Sequence, residues 1–146
     1  MNIFEALRQS HEIQRSLAAQ VISTSGDTPE RAELFRSFRA ELSAHALAEE
    51  RHLYSPIMAS DMGIDVSRHA IAEHHEIDEL IEQLESTDAS SSAWLGLAKK
   101  LSDKVHHHLK EEERGFFQMA GKILDAEQKM SLAKSYLADY EKALQA

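Results

Sequence analysis

The chain is expected to be all-α, an up-down-up-down four-helix bundle with an additional C-terminal helix. Three observations lead there. Its 146 residues include only 5 Gly and 2 Pro, too few punctuating residues for a turn-rich β fold, and strong helix formers dominate the rest. Apolar residues recur at steps of three and four over long stretches, the period of an amphipathic helix. The breaks between those stretches are short, which makes consecutive helices antiparallel neighbours. The length fits one domain over residues 1–146.

The first helix covers about residues 2 to 24, with Ile3, Leu7, Leu17, Ala18 and Val21 on its apolar face. The break at 24–30, TSGDTPE, ends in a helix start: Thr28 is a good N-cap and Pro29 a good first helical residue. Glu30 suits the positive helix end. The second helix runs to about Met58, where Pro56 ends or bends it. SDMGID (60–65) is a tight connection, and Asp65 is the expected N-cap of a third helix over about 66 to 86. STDASSS (86–92) offers serine caps to a fourth helix over about 92 to 122. Asp125 opens the last helix, with Leu132, Tyr136, Tyr140 and Leu144 as its stripe. Two placements are open for this helix, across the bundle or in a homodimer contact.

Composition excludes several function classes. The formal net charge is -9, and no basic stripe is available to neutralise phosphates, so neither nucleic acid nor an anionic membrane is an expected partner. No apolar run approaches the ~20 residues that span a bilayer. The N-terminal MNIFEALRQSHE lacks the regions of a signal peptide, so a cytoplasmic location is expected. With no Cys there is no disulfide and no thiolate metal site. The 9 His are the compositional oddity, and they cluster with carboxylates.

Helical phase sorts these histidines. His11 follows Ile3 and Leu7 at steps of four and precedes Ala18 by seven, within the buried face. In the second helix Leu34, Phe38 and Leu42 lead to His45 and Glu49, with His52 and then Pro56 continuing the face. In the third, His74 lies about 50° from the centre of the stripe Ala70, Ile77, Ile81 and Leu84, while His75 points away. In the fourth, His108 and Glu112 fall inside the face that runs from Trp94 through Val105 and Leu109 to Phe116, Met119 and Ile123. His106, His107, Glu111 and Glu113 fall on its borders or outside. Two helices thus carry H-x-x-x-E, which projects both groups from one side. Counted from the loops, all six side chains reach similar depth, within about one helical turn.

A lone His–Glu pair at this spacing is usually a surface ion pair. Four helices each aiming a His inward, with two centred carboxylates, indicate a buried metal site. His52 is a spare ligand or an outer partner, and His69, His75, His106 and His107 read as solvated or helix-end residues. Glu50 and Glu113 are either partners that orient a ligand imidazole or surface charges. Tyr54 reads as packing at the bundle end, and Phe116–Phe117 as core and rim. Six nitrogen and oxygen donors exceed one tetrahedral zinc. Four imidazoles disfavour magnesium and calcium, leaving iron, manganese, cobalt or zinc. Two octahedral ions bridged by Glu49 and Glu112 use the whole set. A ferritin-like site needs Glu-x-x-His on two helices, and only Glu49-x-x-His52 qualifies.

HALAEERHLYSP (45–56), EHHEIDELI (73–81) and HLKEEERGFF (108–117) resemble the helix 2, 3 and 4 segments of the hemerythrin-like family, the HHE cation-binding domain. The resemblance covers His11 through Phe117. It implies a bundle holding two non-haem irons through His11, His45, Glu49, His74, His108 and Glu112. It departs from the oxygen-carrying members at Ala70, where they have a further His, and at Glu113, where they place an Asp ligand. The four-His, two-Glu set is more similar to bacterial members linked to nitric oxide stress and iron-centre repair, and to iron-sensing domains. The repair proteins carry an additional Cys-containing segment that is missing here. The implied function is binding of, or reaction with, dioxygen, peroxide or nitric oxide. The alternatives are a metal- or oxygen-sensing interaction module, or iron storage and detoxification.

Overall fold

A computed structural model describes residues 1–146. Helix α1 is Ile3–Ile22. Helix α2 is Pro29–Glu49, continued through a π-helical turn, Glu50–Tyr54, into Ser55–Met58. Helix α3 is Asp61–Glu85 and α4 is Ser92–Glu111, continued through a second π turn, Glu112–Phe116, into Phe117–Ile123. Helix α5 is Ala126–Gln145. There are no strands, as the composition requires, and no helix is long and apolar enough to cross a membrane.

The starts follow local chemistry. Asn2 and Asp125 close capping boxes with Glu5 and Gln128, and the Thr28 and Ser91 side chains accept from the amides of Arg31 and Trp94, satisfying donors that a helix start leaves free. The third helix departs from expectation. It begins at Asp61, one turn before Asp65, after Ser60 in extended conformation. Gly63 allows this early start, because a Cβ there would lie 2.2 Å from the Ile57 carbonyl oxygen at the end of α2.

Two apolar clusters fill the bundle. One holds Ile3 and Leu7 of α1, Leu53, Tyr54 and Ile57 of α2, Ala70 of α3 and Phe116, Phe117 and Ala120 of α4. The other holds Ala18 and Val21, Phe38 and Leu42, Ile77, Ile81 and Leu84, and Trp94 through Leu109. Each helix passes from one cluster to the other in the direction opposite to its predecessor, which is the up-down-up-down order. Helix α5 lies over α1 and α2 and seats Ala133, Tyr136 and Tyr140 in the first cluster. Leu144, assigned to that stripe from sequence, is exposed. Between the clusters runs a buried polar layer containing His11, Gln14, His45, Glu49, His74, His108 and Glu112.

The π turns shift the helical phase. Each adds one residue to a turn, so arithmetic at 100° per residue falls one position behind beyond it. In α2 the expected inward residues His52 and Pro56 are only half-buried, and Leu53 and Ile57 take their places. In α4, Met119 and Ile123 give way to Ala120 and Leu124. Pro56 favours the turn in α2, since it cannot donate a helical hydrogen bond and its ring crowds the carbonyl four residues back.

Candidate metal centre

The regular parts of α2 and α4 deliver the two H-x-x-x-E pairs to the polar layer, where the α1 and α3 histidines meet them. His11 Nε2 lies 3.2 Å from Glu112 Oε1, and His45 Nε2 lies 3.3 Å from Glu49 Oε1. His74 Nε2 lies 3.2 Å from Glu49 Oε1, and His108 Nε2 lies 3.7 Å from Glu112 Oε2. All six residues singled out from the sequence are buried and converge here. Two donor groups emerge, His11, His45, Glu49 and Glu112 in one and Glu49, His74 and His108 in the other. Glu49 belongs to both.

Each imidazole turns Nε2 inward and engages a partner behind it with Nδ1. His11 Nδ1 meets Glu113 Oε2 at 2.6 Å and His45 Nδ1 meets the Tyr136 hydroxyl at 2.7 Å. His74 Nδ1 meets Glu50 Oε2 at 2.8 Å and His108 Nδ1 meets Glu73 Oε1 at 2.8 Å. An Nδ1–H donated outward fixes the tautomer that leaves Nε2 free to bind a cation, which is how metal-binding histidines are ordinarily held. Glu50 and Glu113 are thereby orienting partners, and Arg15 anchors Glu113 at 2.9 Å. Helix phase separates Glu112, which faces in, from Glu113, which reaches around His11. His52 leaves the layer and meets Asp139 of α5 at 2.6 Å. His75, His106 and His107 are exposed.

Three residues of the centre escaped the sequence reading. Tyr54 is not simple end packing. The π turn brings it beneath Glu49, five residues earlier, and its hydroxyl donates to both Glu49, at 2.8 Å, and Glu112. Tyr136 is 91 positions from His45, and no local pattern pairs them. Glu73 carried a signal in its i,i+4 spacing from His69, but its use behind His108 depends on the packing of α3 against α4. Phe116 and Phe117 are both core, and the Phe117 ring stacks on His11 at 5.8 Å.

The electrostatics suit a cation. Burial disfavours a charged imidazole, yet the adjacent carboxylates of Glu112 and Glu113 raise His11 to about 9, and those of Glu49 and Glu50 raise His74 to about 10. Burial lowers His45 to about 4. Burial and the neighbouring Glu49 push Glu112 up to about 7. Protons thus take the place of positive charge in the layer. His74 and His108 face each other Nε2 to Nε2 at 3.2 Å, an arrangement that needs a proton or cation between the lone pairs. His11 Nε2, His45 Nε2, Glu49 Oε2 and Glu112 Oε1 are buried with no hydrogen-bond partner. Such atoms are costly in a dry core, and all four aim into the polar layer. The donor set therefore fits a bound metal.

The roomier approach is from one side, a crevice of about 10 Å³ beside Gln14, His45 and His74 being far smaller. A cavity of about 400 Å³ between α3 and α4 reaches His108 and Glu112 past Ala70 and Phe116, with His69 and Glu111 at its rim. The α1–α2 side is closed by Phe117 and by Tyr136 of α5.

The Hemerythrin HHE cation binding domain model matches residues 2–120. A protein named DNA nickase from Nostoc sp. is 29% identical over 145 residues, covering 99% of this chain but 41% of its own length. The crystal structure of a Hemerythrin HHE cation binding domain-containing protein from Mycobacterium kansasii, a homologue of Rv2633c, superposes with a TM-score of 0.87. It is 22% identical and covers 99% of this chain and 88% of its own.

Proposed function

The chain belongs to the hemerythrin HHE cation-binding family, and from that premise we propose that it is a non-haem di-iron protein that binds or reacts with dioxygen, peroxide or nitric oxide. His11, His45, Glu49, His74, His108 and Glu112 are the proposed ligands, with Glu49 and Glu112 bridging, in one domain over residues 1–146. The observation that carries the reading is the set of four buried donor atoms without partners, flanked by four imidazoles whose other nitrogens are already engaged. Imidazole and carboxylate together suit iron.

Bound iron would supply redox change and open positions for a small ligand. The chain supplies the rest. The Nδ1 partners hold the rings in orientation, Tyr54 places a hydroxyl proton between the two central carboxylates, and Phe116 and Phe117 limit water. The cavity beside Ala70, of about 400 Å³, has room for diatomic molecules next to His108 and Glu112. The chain matches 41% of the Nostoc relative's length, and a net charge of -9 offers little to a phosphate backbone.

The test is spectroscopic. Anaerobic ferrous protein exposed separately to oxygen, peroxide and nitric oxide should develop new visible absorption with at least one of them. An iron-loaded protein with no spectral response to any of the three contradicts the proposal.

A further inference from the structure

Beyond the buried layer, α3 and α4 carry three more copies of the H-x-x-x-E pairing, His69 with Glu73, His75 with Glu79 and His107 with Glu111, and the first and last face the same interhelical groove. Residues at this spacing project together, and the two pairs meet across the interhelical groove. His69 Nε2 lies 2.9 Å from Glu111 Oε1 and 3.7 Å from Glu73 Oε2. His107 Nε2 lies 3.0 Å from Glu111 Oε2 and 3.9 Å from Glu73 Oε2. One ligand atom each from His69, Glu73 and Glu111 lies within 4.8 Å of the other two, close to the spacing of about 3.4 Å that ligand atoms keep around a tetrahedral zinc, and His107 approaches from the second oxygen of Glu111.

Glu73 distinguishes the cluster from an ordinary surface ion pair. It is 4% exposed, one oxygen accepts from His108 Nδ1, and the other faces both exposed imidazoles. Lys104 is the competing cation, 3.7 Å from Glu73 Oε2, but its closer partner is Glu76, so it can yield the position.

We propose that His69, Glu73 and Glu111, with His107 closing in beside Glu111, form a second, solvent-facing site for a divalent transition-metal cation, at the mouth of the groove that leads to His108 and Glu112. Two imidazoles with two carboxylates select zinc, ferrous iron or their neighbours over magnesium and calcium. With both histidines more than half exposed, the cation exchanges with solvent and binds more weakly than one in the buried layer.

The probe is Zn²⁺, titrated by calorimetry into the protein as purified and into a His69→Gln/His107→Gln variant. Both positions are exposed, and circular dichroism with elemental analysis checks that helix content and resident metal are unchanged. An outer partner of a metal ligand is worth 10–100-fold in affinity, and direct ligands are worth more. The expected result is one micromolar zinc equivalent in the wild type, weakened more than about tenfold in the variant. No such equivalent in the wild type, or identical isotherms for the two proteins, overturns the proposal. Because the equivalent is counted as the difference between the two proteins, the result does not depend on what the buried centre holds.

Discussion

The two sides of the polar layer use the same imidazoles but are backed differently. On the α1–α2 side, His45 rests on Tyr136 of α5, which is itself 2.6 Å from Ser10, and His11 is covered by Phe117. On the α3–α4 side, His74 and His108 rest on the carboxylates of Glu50, which is partly exposed, and Glu73, which is buried, and a cavity opens beside them. One side is packed shut around its imidazoles. The other borders an open cavity, the proposed route for a small ligand. The fifth helix makes the difference, because it covers only α1 and α2.

The largest expected effect removes what joins the two sides. Glu112 lies near both His11 and His108, so Glu112→Ala should lose most of the bound metal by elemental analysis. Glu113→Ala should keep metal at saturation but bind it about 10–100-fold more weakly, the usual cost of losing an orienting partner. The reverse ranking would show that the α4 register is misread.

Tyr136→Phe challenges the packed side alone. It strips the hydroxyl from Ser10 and from His45 Nδ1, and the groups left unpaired should cost about 1–3 kcal/mol of stability in denaturant titrations. Metal affinity should fall as well, without a change in the rate at which small ligands enter. A variant as stable as wild type, with unchanged affinity, would remove Tyr136 from the centre.

Proton release samples both sides at once. In the metal-free protein His11 is raised to about 9 and His74 to about 10, so at neutral pH each holds a proton that a metal must displace. His45, lowered to about 4, contributes none. Glu112, raised to about 7, is about half protonated at pH 7, so binding there should release between two and three protons, and affinity should fall as pH falls. Calorimetry in buffers of different ionisation enthalpy measures this, and affinity independent of pH would contradict it. The smallest effect is kinetic. Ala70→Ile narrows the open side, and should slow the reaction with nitric oxide in stopped-flow measurements while iron content stays unchanged.

How much of this was legible follows from where the helices stay regular. Through Glu49 and Glu111 these two helices are plain α-helix, and the π turns begin only at Glu50 and Glu112, so the 3.6-residue period alone sets His45, Glu49, His108 and Glu112 on the inner face. Past those residues the π turns move the face by one position, so an unbroken helical period points His52 and Met119 inward and carries no sign of the Tyr54 contact with Glu49. Tyr136 and Glu73 were hidden for a different reason. Their roles are contacts between helices, and helical phase reports only which way a residue points. The early start of α3 depended on Gly63 lying against the Ile57 carbonyl, again a contact between helices.

Metal content of the protein as expressed in iron-replete medium tests the central claim most directly. Elemental analysis should find two irons per chain, and the His11→Ala and His74→Ala variants, one from each side of the layer, should each hold less. Protein that purifies without metal and takes up none on reconstitution, or that binds a single ion unaffected by either substitution, would contradict the account.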